Sequence, residues 1–301
     1  MDAIYQAKPS QLHQVQRLLH RARHRFINFG DEDLASFLTD GVVLLAESGG
    51  EPWGVMVLQW EEMDSATPSR VHLRCIALAP GRSPSLDIPM LGEAMEERVR
   101  NQISQGTAAQ VVVYGEKWLV QPLRLAGFEL VDRIQYLALG QLQRRSSPAG
   151  DRRSSAEVTL RAGGPADMAA VAELDARAFT PIWRLDRQTL MTLFLVGRVR
   201  LAEKDDQVVG YAALSIPGGR DAQLARLAVH PVAQGMGVGR LLLTDAIDYA
   251  RRSWSDALLL NTQASNSRSL ALYHAFGFRP TGRVTPVFAR TIAHDRRGDA
   301  N

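Results

Sequence analysis

Apolar and polar positions along the chain follow two alternating patterns, one typical of strands and one typical of helices. Short apolar runs predict strands, and segments in which apolar residues recur every three or four positions predict helices. In the first half the predicted strands lie near 4–7, 41–47, 53–59, 71–78 and 110–114, and the predicted helices near 11–20, 31–37, 89–102 and 118–125. These elements follow the order β-α-α-β-β-β-α-β-α, which is that of a mixed α/β domain.

The second half of the chain predicts the same order of elements. Its strands lie near 158–161, 199–203, 208–215, 223–229, 257–262, 278–281 and 285–290, with helices near 239–251 and 266–276. The stretch VHLRCIALAP, which ends at Pro80, matches AQLARLAVHP, which ends at Pro231, an offset of 151 positions (231 minus 80). The pair Gly127-Phe128 recurs as Gly277-Phe278, an offset of 150 (277 minus 127). These matches predict a tandem repeat of one fold.

A polar segment separates the two halves. Residues 143–156 (QRRSSPAGDRRSSA) lack apolar periodicity and are rich in Ser and Arg, as is typical of a linker. The predicted organisation is therefore a first domain over 1–142, this linker, and a second domain over 157–301.

Composition narrows the class of protein without identifying its activity. The 301 residues are 46% hydrophobic and 22% charged, with a formal charge of +3, which is ordinary for a globular chain and too weak to indicate nucleic-acid binding. A single cysteine, Cys75, excludes an internal disulfide. No apolar run approaches the roughly 18 residues of a membrane span. We therefore expect a cytoplasmic protein that binds neither nucleic acid nor membrane.

Closely spaced glycines precede a predicted helix in the second half. The sequence QGMGVG, from Gln234 to Gly239, follows an apolar strand and Pro231. Glycines here expose successive backbone N–H groups at the positive end of a helix, an arrangement that binds phosphate or pyrophosphate. A P-loop would need a Lys after the glycines, and a dinucleotide fingerprint would need the third Gly one residue later. A glycine-rich surface turn with no ligand is the alternative.

A second motif follows the next strand. Asn266, Ser269 and Tyr273 recur at helical spacing before Gly277-Phe278, so they lie along one face of a helix for which Ser265 or Asn266 is the predicted N-cap. Together, the two motifs resemble the GNAT superfamily of acyl-CoA-dependent N-acyltransferases over residues 157–291. The tandem layout is similar to that of the mycothiol synthase family.

This resemblance implies a fold, a cofactor and a set of roles. It implies two tandem domains of mixed α/β class, each with a mostly antiparallel central sheet flanked by helices, and acetyl-CoA as co-substrate with no metal. Tyr273 would act as general acid and protonate the departing thiolate. The residues implied to bind the cofactor are Leu227, Ala228, Val229, Gln234, Gly235, Met236, Gly237, Val238, Gly239, Arg240, Asn266 and Ser269.

The first half departs from both motifs. With the offset of 151, Gly235 falls opposite Pro84, which has no N–H to donate, and Gly237 falls opposite Leu86. With the offset of 150, Tyr273 falls opposite Leu123, which carries no acidic proton. We therefore expect the first half to be a degenerate domain without a cofactor site.

The acceptor side of the site is less clearly marked. Many members of the superfamily carry a Glu on the strand before the glycine loop, but no carboxylate lies in Gln223 to His230, so the base stays open between Asp221, His230 and a water chain. Arg226 could hold an acceptor carboxylate or phosphate, with a salt bridge as the alternative. Phe179 and Trp183 could wall an acceptor pocket or belong to the core.

We expect an enzyme that transfers an acetyl group from acetyl-CoA to a primary amine of a small molecule. The tandem layout favours a small-molecule acceptor. The alternatives are an N-terminal acetyltransferase of the ribosomal-protein type and a non-catalytic acyl-CoA sensor.

Overall fold

The computed structural model describes residues 2–61, 69–144, 158–216 and 219–294, and these divide into two compact units. Unit 1 contains 2–132 and 285–294 of these residues, and unit 2 contains 133–284 apart from the gaps. Of the predicted linker, residues 145–156 lie outside the described residues.

Unit 1 follows the order of elements predicted from the sequence, with one added strand. Its helices are α1 (Leu12–Arg21), α2 (Leu34–Asp40), α3 (Pro84–Arg100) and α4 (Val120–Leu125). Its strands are β1 (Asp2–Gln6), β2 (His24–Ile27), β3 (Val42–Ser48), β4 (Glu51–Glu61), β5 (Ser69–Leu78) and β6 (Ala108–Tyr114), and the chain continues into β7 (Glu129–Gly140).

The sheet of unit 1 has the order β1-β3-β4-β5-β6, and β2 pairs with β5 on a separate stretch of that strand. Neighbouring strands are antiparallel except β5 and β6, which are parallel over Ser69–His72 and Ala109–Val112. Strands β3, β4 and β5 read as nearly continuous apolar runs because helices cover them, and their side chains form the core of this unit.

Unit 2 repeats this architecture. Its helices are α5 (Met168–Ala178), α6 (Arg187–Val196), α7 (Val238–Arg252) and α8 (Ser267–Ala275). Its strands are β8 (Thr159–Ala162), β9 (Arg198–Lys204), β10 (Gln207–Ser215), β11 (Ala222–Val229) and β12 (Ala257–Gln263), followed by β13 (Arg279–Ala293). The sheet order is β12-β11-β10-β9-β8, and only β11 and β12 are parallel. The predicted mixed α/β class with mostly antiparallel sheets is confirmed.

The two sequence halves exchange their last strands. Residues Ile134–Gly140 of β7 pair with β12 in unit 2, and residues Val287–Ala293 of β13 pair with β6 in unit 1. The compact units therefore differ from a division of the chain at residues 143–156. Apolar alternation in a strand indicates that the strand is half-buried, but it does not indicate which sheet the strand joins.

Some observed elements differ from the predicted ones. The helix predicted near 89–102 begins at Pro84, because proline is well suited to the first turn of a helix. The two strands predicted near 278–281 and 285–290 form one strand, β13. Strand β2 was not predicted, because HRFI is too short to show a period.

Among the helices in the described parts of the chain, none is both long and apolar enough to cross a bilayer.

Gly210 permits helix α7 to approach strand β10 closely. A Cβ at this position would lie 2.8 Å from Val238 Cγ1 and 3.1 Å from the carbonyl oxygen of Ala228. Gly210→Ala is therefore expected to lower the free energy of unfolding by about 1–3 kcal/mol, as overpacking does. Urea denaturation of the variant measures this loss.

Gly140→Ala is the matched control in the same unit. A Cβ on this strand glycine meets no atom within 4 Å, so the control is expected to be neutral or slightly stabilising. Equal losses in the two variants would contradict the packing role of Gly210.

Candidate functional site

A cleft opens in unit 2 where two parallel strands separate. Strands β11 and β12 pair only over Ala222–Leu224 and Leu258–Leu260. Beyond Leu224, the edge of β11 that would face β12 borders a cavity of about 610 Å³. We call this cavity the β11–β12 cleft. Its lining residues are Ala178, Phe179, Leu227, Ala228, Val229, Ala233, Gln234, Gly235, Gly237, Val238, Gly239, Arg240, Asn266, Arg268, Ser269 and Leu272.

The cleft gathers the first sequence motif together with Asn266 and Ser269 of the second, whereas Tyr273 is not among the residues that line it. All of the predicted cofactor-binding residues line it except Met236, whose side chain is 37% exposed. The motifs lie about thirty positions apart in the sequence, and the separation of β11 from β12 brings them together.

Two glycines shape the loop between β11 and α7. Gly235 has φ +87° and Gly237 has φ +84°, a left-handed conformation that residues with a Cβ rarely adopt. Gly237 is the N-cap of α7, and a Cβ on Gly235 would meet no atom within 4 Å, so the backbone at this point is open. The N–H groups of the first turn of α7 have no partner within the helix and carry its positive dipole end. The loop therefore has the geometry of an anion site.

The helix behind this loop is fixed by its apolar face. Leu242, Leu243, Ala246, Ile247 and Ala250 recur at helical spacing and are all buried. The opposite face carries polar residues, so the rotation of α7 is determined by its packing. This packing holds the N-terminus of α7 at the cleft.

Polar side chains connect the loop to the two walls of the cleft. The Gln234 amide donates to the carbonyl oxygen of Val229 (3.3 Å) and accepts a hydrogen bond from the Arg268 guanidinium. Arg240 lies over the ring of Phe276, with its guanidinium carbon 5.1 Å from the centroid. Two arginines thus lie beside the predicted anion site. Sequence reasoning missed Arg268, although its place in the first turn of α8 between Asn266 and Ser269 is a usable signal.

Helix α8 carries the second motif. The Asn266 side chain accepts a hydrogen bond from the backbone N–H of Ser269 (3.1 Å), which makes Asn266 the N-cap that the sequence predicted as one of two candidates. Ser269 and Leu272 face the cleft. Tyr273 lies one turn beyond Ser269 on the same face.

Tyr273 is buried against the core at the base of α8. Its side chain is 5% exposed, and its ring centroid lies 5.7 Å from that of Phe278. Burial raises the pKa of Tyr273 to about 12, and the positive charge of Arg226 opposes part of that rise. The phenol is consequently a protonated group at neutral pH.

A buried ion pair lies on the acceptor side of β11. Arg226 donates through Nε and Nη2 to the two carboxylate oxygens of Asp175, both at 2.8 Å, and Nη2 also donates to the carbonyl oxygen of Trp183 (2.7 Å). The guanidinium carbon lies 3.5 Å from the centroid of Phe179. The salt bridge that the sequence left as an alternative for Arg226 is the one observed.

Asp175 is the hub of this network. Besides Arg226, it accepts hydrogen bonds from the Tyr211 hydroxyl (2.6 Å) and the backbone N–H of Leu185 (3.0 Å), and it is 1% exposed. Burial and the Asp175 carboxylate raise the pKa of Tyr211 above its usual value. Sequence reasoning missed Asp175. Its position on the apolar face of α5, beside Val171 and Leu174, is the signal that would have predicted a buried partner.

The other residues predicted to wall the acceptor pocket or to act as the base do not lie together. Phe179 lines the cleft, whereas Trp183 is not among its lining residues and contributes a backbone carbonyl to Arg226. His230 Nδ1 accepts from the backbone N–H of Val232 (3.3 Å). Asp221 precedes β11, about 20 Å from Leu227 at the rise of an extended strand. Neither of the two predicted base candidates is thus poised at the centre of the cleft.

Within the described residues, no three His, Cys, Asp or Glu side chains are grouped so that they could hold a metal ion.

Comparison with protein families identifies the part of the chain that holds the cleft. The family model described as "Acetyltransferase (GNAT) family" matches residues 168–278, from the start of α5 to the Gly-Phe pair. Both motifs fall within this match.

Named acetyltransferases are similar in sequence to this chain. An L-methionine sulfoximine/L-methionine sulfone acetyltransferase from Salmonella typhimurium is 31% identical over 145 residues, which are 43% of this chain and 85% of that protein. A mycothiol acetyltransferase from Acidothermus cellulolyticus is 26% identical over 306 residues, covering 90% of this chain and 89% of that one.

Among solved structures, a tandem GNAT protein from the clavulanic acid biosynthesis pathway matches 97% of this chain and 99% of its own, with TM-score 0.58 and 16% identity, a likeness of fold. The sequence motifs, the cleft that they line and the named relatives all indicate the same family. The chain belongs to the GNAT family and is an acyltransferase that transfers an acetyl group to an amine.

Proposed function

We propose that the chain transfers the acetyl group of acetyl-CoA to the primary amine of a small molecule, with acetyl-CoA bound in the β11–β12 cleft. The observation that carries this proposal is the pair of left-handed glycines, Gly235 and Gly237, at the positive end of α7, directly beside the exposed edge of β11. A long ligand with an anionic centre and an amide-containing arm fits both features at once.

Each part of the cofactor has a complementary surface in this cleft. The backbone groups of Leu227–Val229 would pair with the amides of the pantetheine arm, because that edge of β11 is not used by β12. The N–H groups of Gly235 and of residues 237–240 would bind the pyrophosphate. Arg268 adds positive charge beside them. Phe179 and Leu272 supply apolar walls.

The reaction proceeds by direct attack. The nitrogen of the neutral amine attacks the thioester carbonyl carbon, and the new C–N bond gives a tetrahedral oxyanion that a backbone N–H of β11 stabilises. The C–S bond then breaks. Tyr273 gives its phenolic proton to the departing thiolate, and the proton released by the amine nitrogen passes to solvent. The positive charge of Arg226 favours the tyrosinate that forms, and the tyrosinate then takes a proton from solvent, which restores the phenol.

We assign the role of proton acceptor to solvent, because the carboxylate of Asp175 is already hydrogen-bonded to other groups. Its carboxylate accepts hydrogen bonds from Arg226, Tyr211 and Leu185, and it is almost completely buried. The network instead fixes the segment from Phe179 to Leu185 against β11. This segment would form the wall of the acceptor site.

A small-molecule acceptor is supported by the names of two relatives. One matched relative is named an L-methionine sulfoximine/L-methionine sulfone acetyltransferase and the other a mycothiol acetyltransferase, and the alignment with the second spans nearly the whole of this chain. A screen of small amines alongside peptide N-termini, with release of CoA as the readout, tests the acceptor class.

Cofactor binding is expected to depend on Gly235. Gly235→Asp places a negative side chain in the open space beside the anion site, so the Kd for acetyl-CoA is expected to rise at least about tenfold. Gly282→Asp is the matched control, since Gly282 also has φ +87° and open space but does not line the cleft. Calorimetric titration measures both. An equal loss of affinity in the control would refute the placement of the anion site.

Tyr273→Phe is expected to lower kcat about tenfold or more while leaving the KM for acetyl-CoA nearly unchanged, because the hydroxyl acts when the thiolate leaves. Tyr249→Phe serves as control, since Tyr249 lies on α7 away from the cleft and packs under Arg198. Steady-state kinetics with a primary amine measures the effect. Unchanged turnover in Tyr273→Phe would remove the assignment.

The pH profile is expected to rise and then stay level. Ionisation of the acceptor ammonium supplies the nucleophile, so kcat/KM for the amine increases as pH approaches the pKa of that amine. Burial raises the pKa of Tyr273 to about 12, so its ionisation is expected to cause no decline in the neutral and mildly alkaline range. Profiles with two amines of different pKa check this, and a rising limb that does not follow the amine would point to a protein base.

A further inference from the structure

Unit 1 contains the counterpart of the β11 edge. With the offset of 151, Cys75–Leu78 of β5 correspond to Arg226–Val229 of β11. As in unit 2, the parallel pairing of β5 with its neighbour ends early, at His72 and Val112. The same groove for an extended ligand is therefore present in the fold of unit 1.

In unit 1 this groove is filled by the chain itself. Strand β2 pairs antiparallel with β5, with His24 opposite Leu78 and Ile27 opposite Cys75. Hydrogen bonds at either end extend the pairing, from the backbone N–H of Arg23 to the Leu78 carbonyl (3.2 Å) and from that of Asn28 to the Arg74 carbonyl (2.8 Å). The backbone groups that face the cleft in unit 2 thus face a strand in unit 1.

Side-chain packing holds β2 in this place. Phe26 is 4% exposed and belongs to the core of unit 1, and Ile27 packs against that core. Removing β2 from β5 would expose Phe26 together with Cys75, which is fully buried. This strand is an integral part of the core.

The anion site of unit 1 is also occupied by the chain. Helix α3 begins at Pro84, the counterpart of Gly235, so residues that form the open loop in unit 2 form a helical turn here. Asp87, the counterpart of Val238, accepts hydrogen bonds from the backbone N–H of Ser83 (2.7 Å) and from Arg82 Nη1 (3.3 Å), and it is 5% exposed. A carboxylate thus lies at the helix end where a pyrophosphate would bind.

The cavity of unit 1 does not reach the edge of β5. The cavity has a volume of about 530 Å³ and is lined by Arg25, Ile27 and Glu116, with no residue of β5 among those that line it. With the offset of 150, Glu116 is the counterpart of Asn266. Strand β2 covers the edge of β5, and a carboxylate stands where unit 2 has a neutral amide. Both changes disfavour an anionic cofactor.

We propose that unit 1 is closed by an internal mimic of the cofactor, in which β2 takes the place of the pantetheine arm and Asp87 that of the pyrophosphate. This inference rests on the proposed placement of acetyl-CoA in unit 2. Its consequence is that the chain binds one acetyl-CoA, and unit 1 serves as a fixed scaffold whose groove is permanently satisfied by its own backbone.

Titration and hydrogen exchange on the full chain test this closure together. Calorimetry of the wild type with acetyl-CoA is expected to give one equivalent, and Gly237→Glu and Gly235→Asp are each expected to weaken that site at least about tenfold. Exchange followed by mass spectrometry is expected to show slow amides in peptides covering 23–28 and 74–78, unchanged by acetyl-CoA. Peptides covering 226–240 should become protected on binding.

Other outcomes separate the two proposals. Two equivalents per chain, or one full-affinity equivalent that survives both glycine variants, would overturn the closure of unit 1. Faster exchange in 23–28 on adding acetyl-CoA would also overturn it, because β2 would then be displaced by the cofactor. No binding to the wild type, with slow exchange at β2, would overturn the placement of acetyl-CoA in unit 2 and still support the closure. Gly282→Glu controls for backbone strain, since Gly282 shares the φ of +87°.

Discussion

The backbone edge exposed where a parallel strand pair separates determines much of this structure. Buried N–H and C=O groups need hydrogen-bond partners, so a strand that leaves its neighbour must find another partner. In unit 2 the edge of Leu227–Val229 borders a cleft, and a bound ligand can satisfy it. In unit 1 the corresponding edge pairs with β2. The same fold thus gives an open site in one unit and a closed groove in the other.

A few residue types at the start of a helix decide between these outcomes. Gly235 and Gly237 adopt left-handed conformations and delay the start of α7, which leaves N–H groups facing the cleft. Pro84 begins α3 three positions earlier relative to the repeat, and Asp87 then binds the helix end. Proline fixes a helical φ and lacks an N–H, whereas glycine permits the open turn. The backbone conformation and the charge at the start of this helix therefore both differ between the two units.

A carboxylate of unit 2 that could serve as a base is already paired in a buried network. Asp175 contacts Arg226 of β11, and Arg226, Tyr211 and Leu185 hold its carboxylate in a buried network. Breaking one partner of such a network is costly because it leaves a buried charge unpaired. The network therefore suits a positioning role for the segment after α5. Burial keeps Tyr273 protonated, which the proposed role of general acid requires.

The sequence alone determined the order of elements, the tandem repeat, the glycine loop and the helix that carries Asn266 and Tyr273. These features follow from local periodicity, from residue types with restricted backbone conformations, and from spacing within a helix. The membership of β7 and β13 in the opposite units, the pairing of β2 with β5, and the bond between Asp175 and Arg226 required the tertiary structure. Those contacts join residues far apart in the chain. The local sequence of a strand or of a charged residue does not identify its partner.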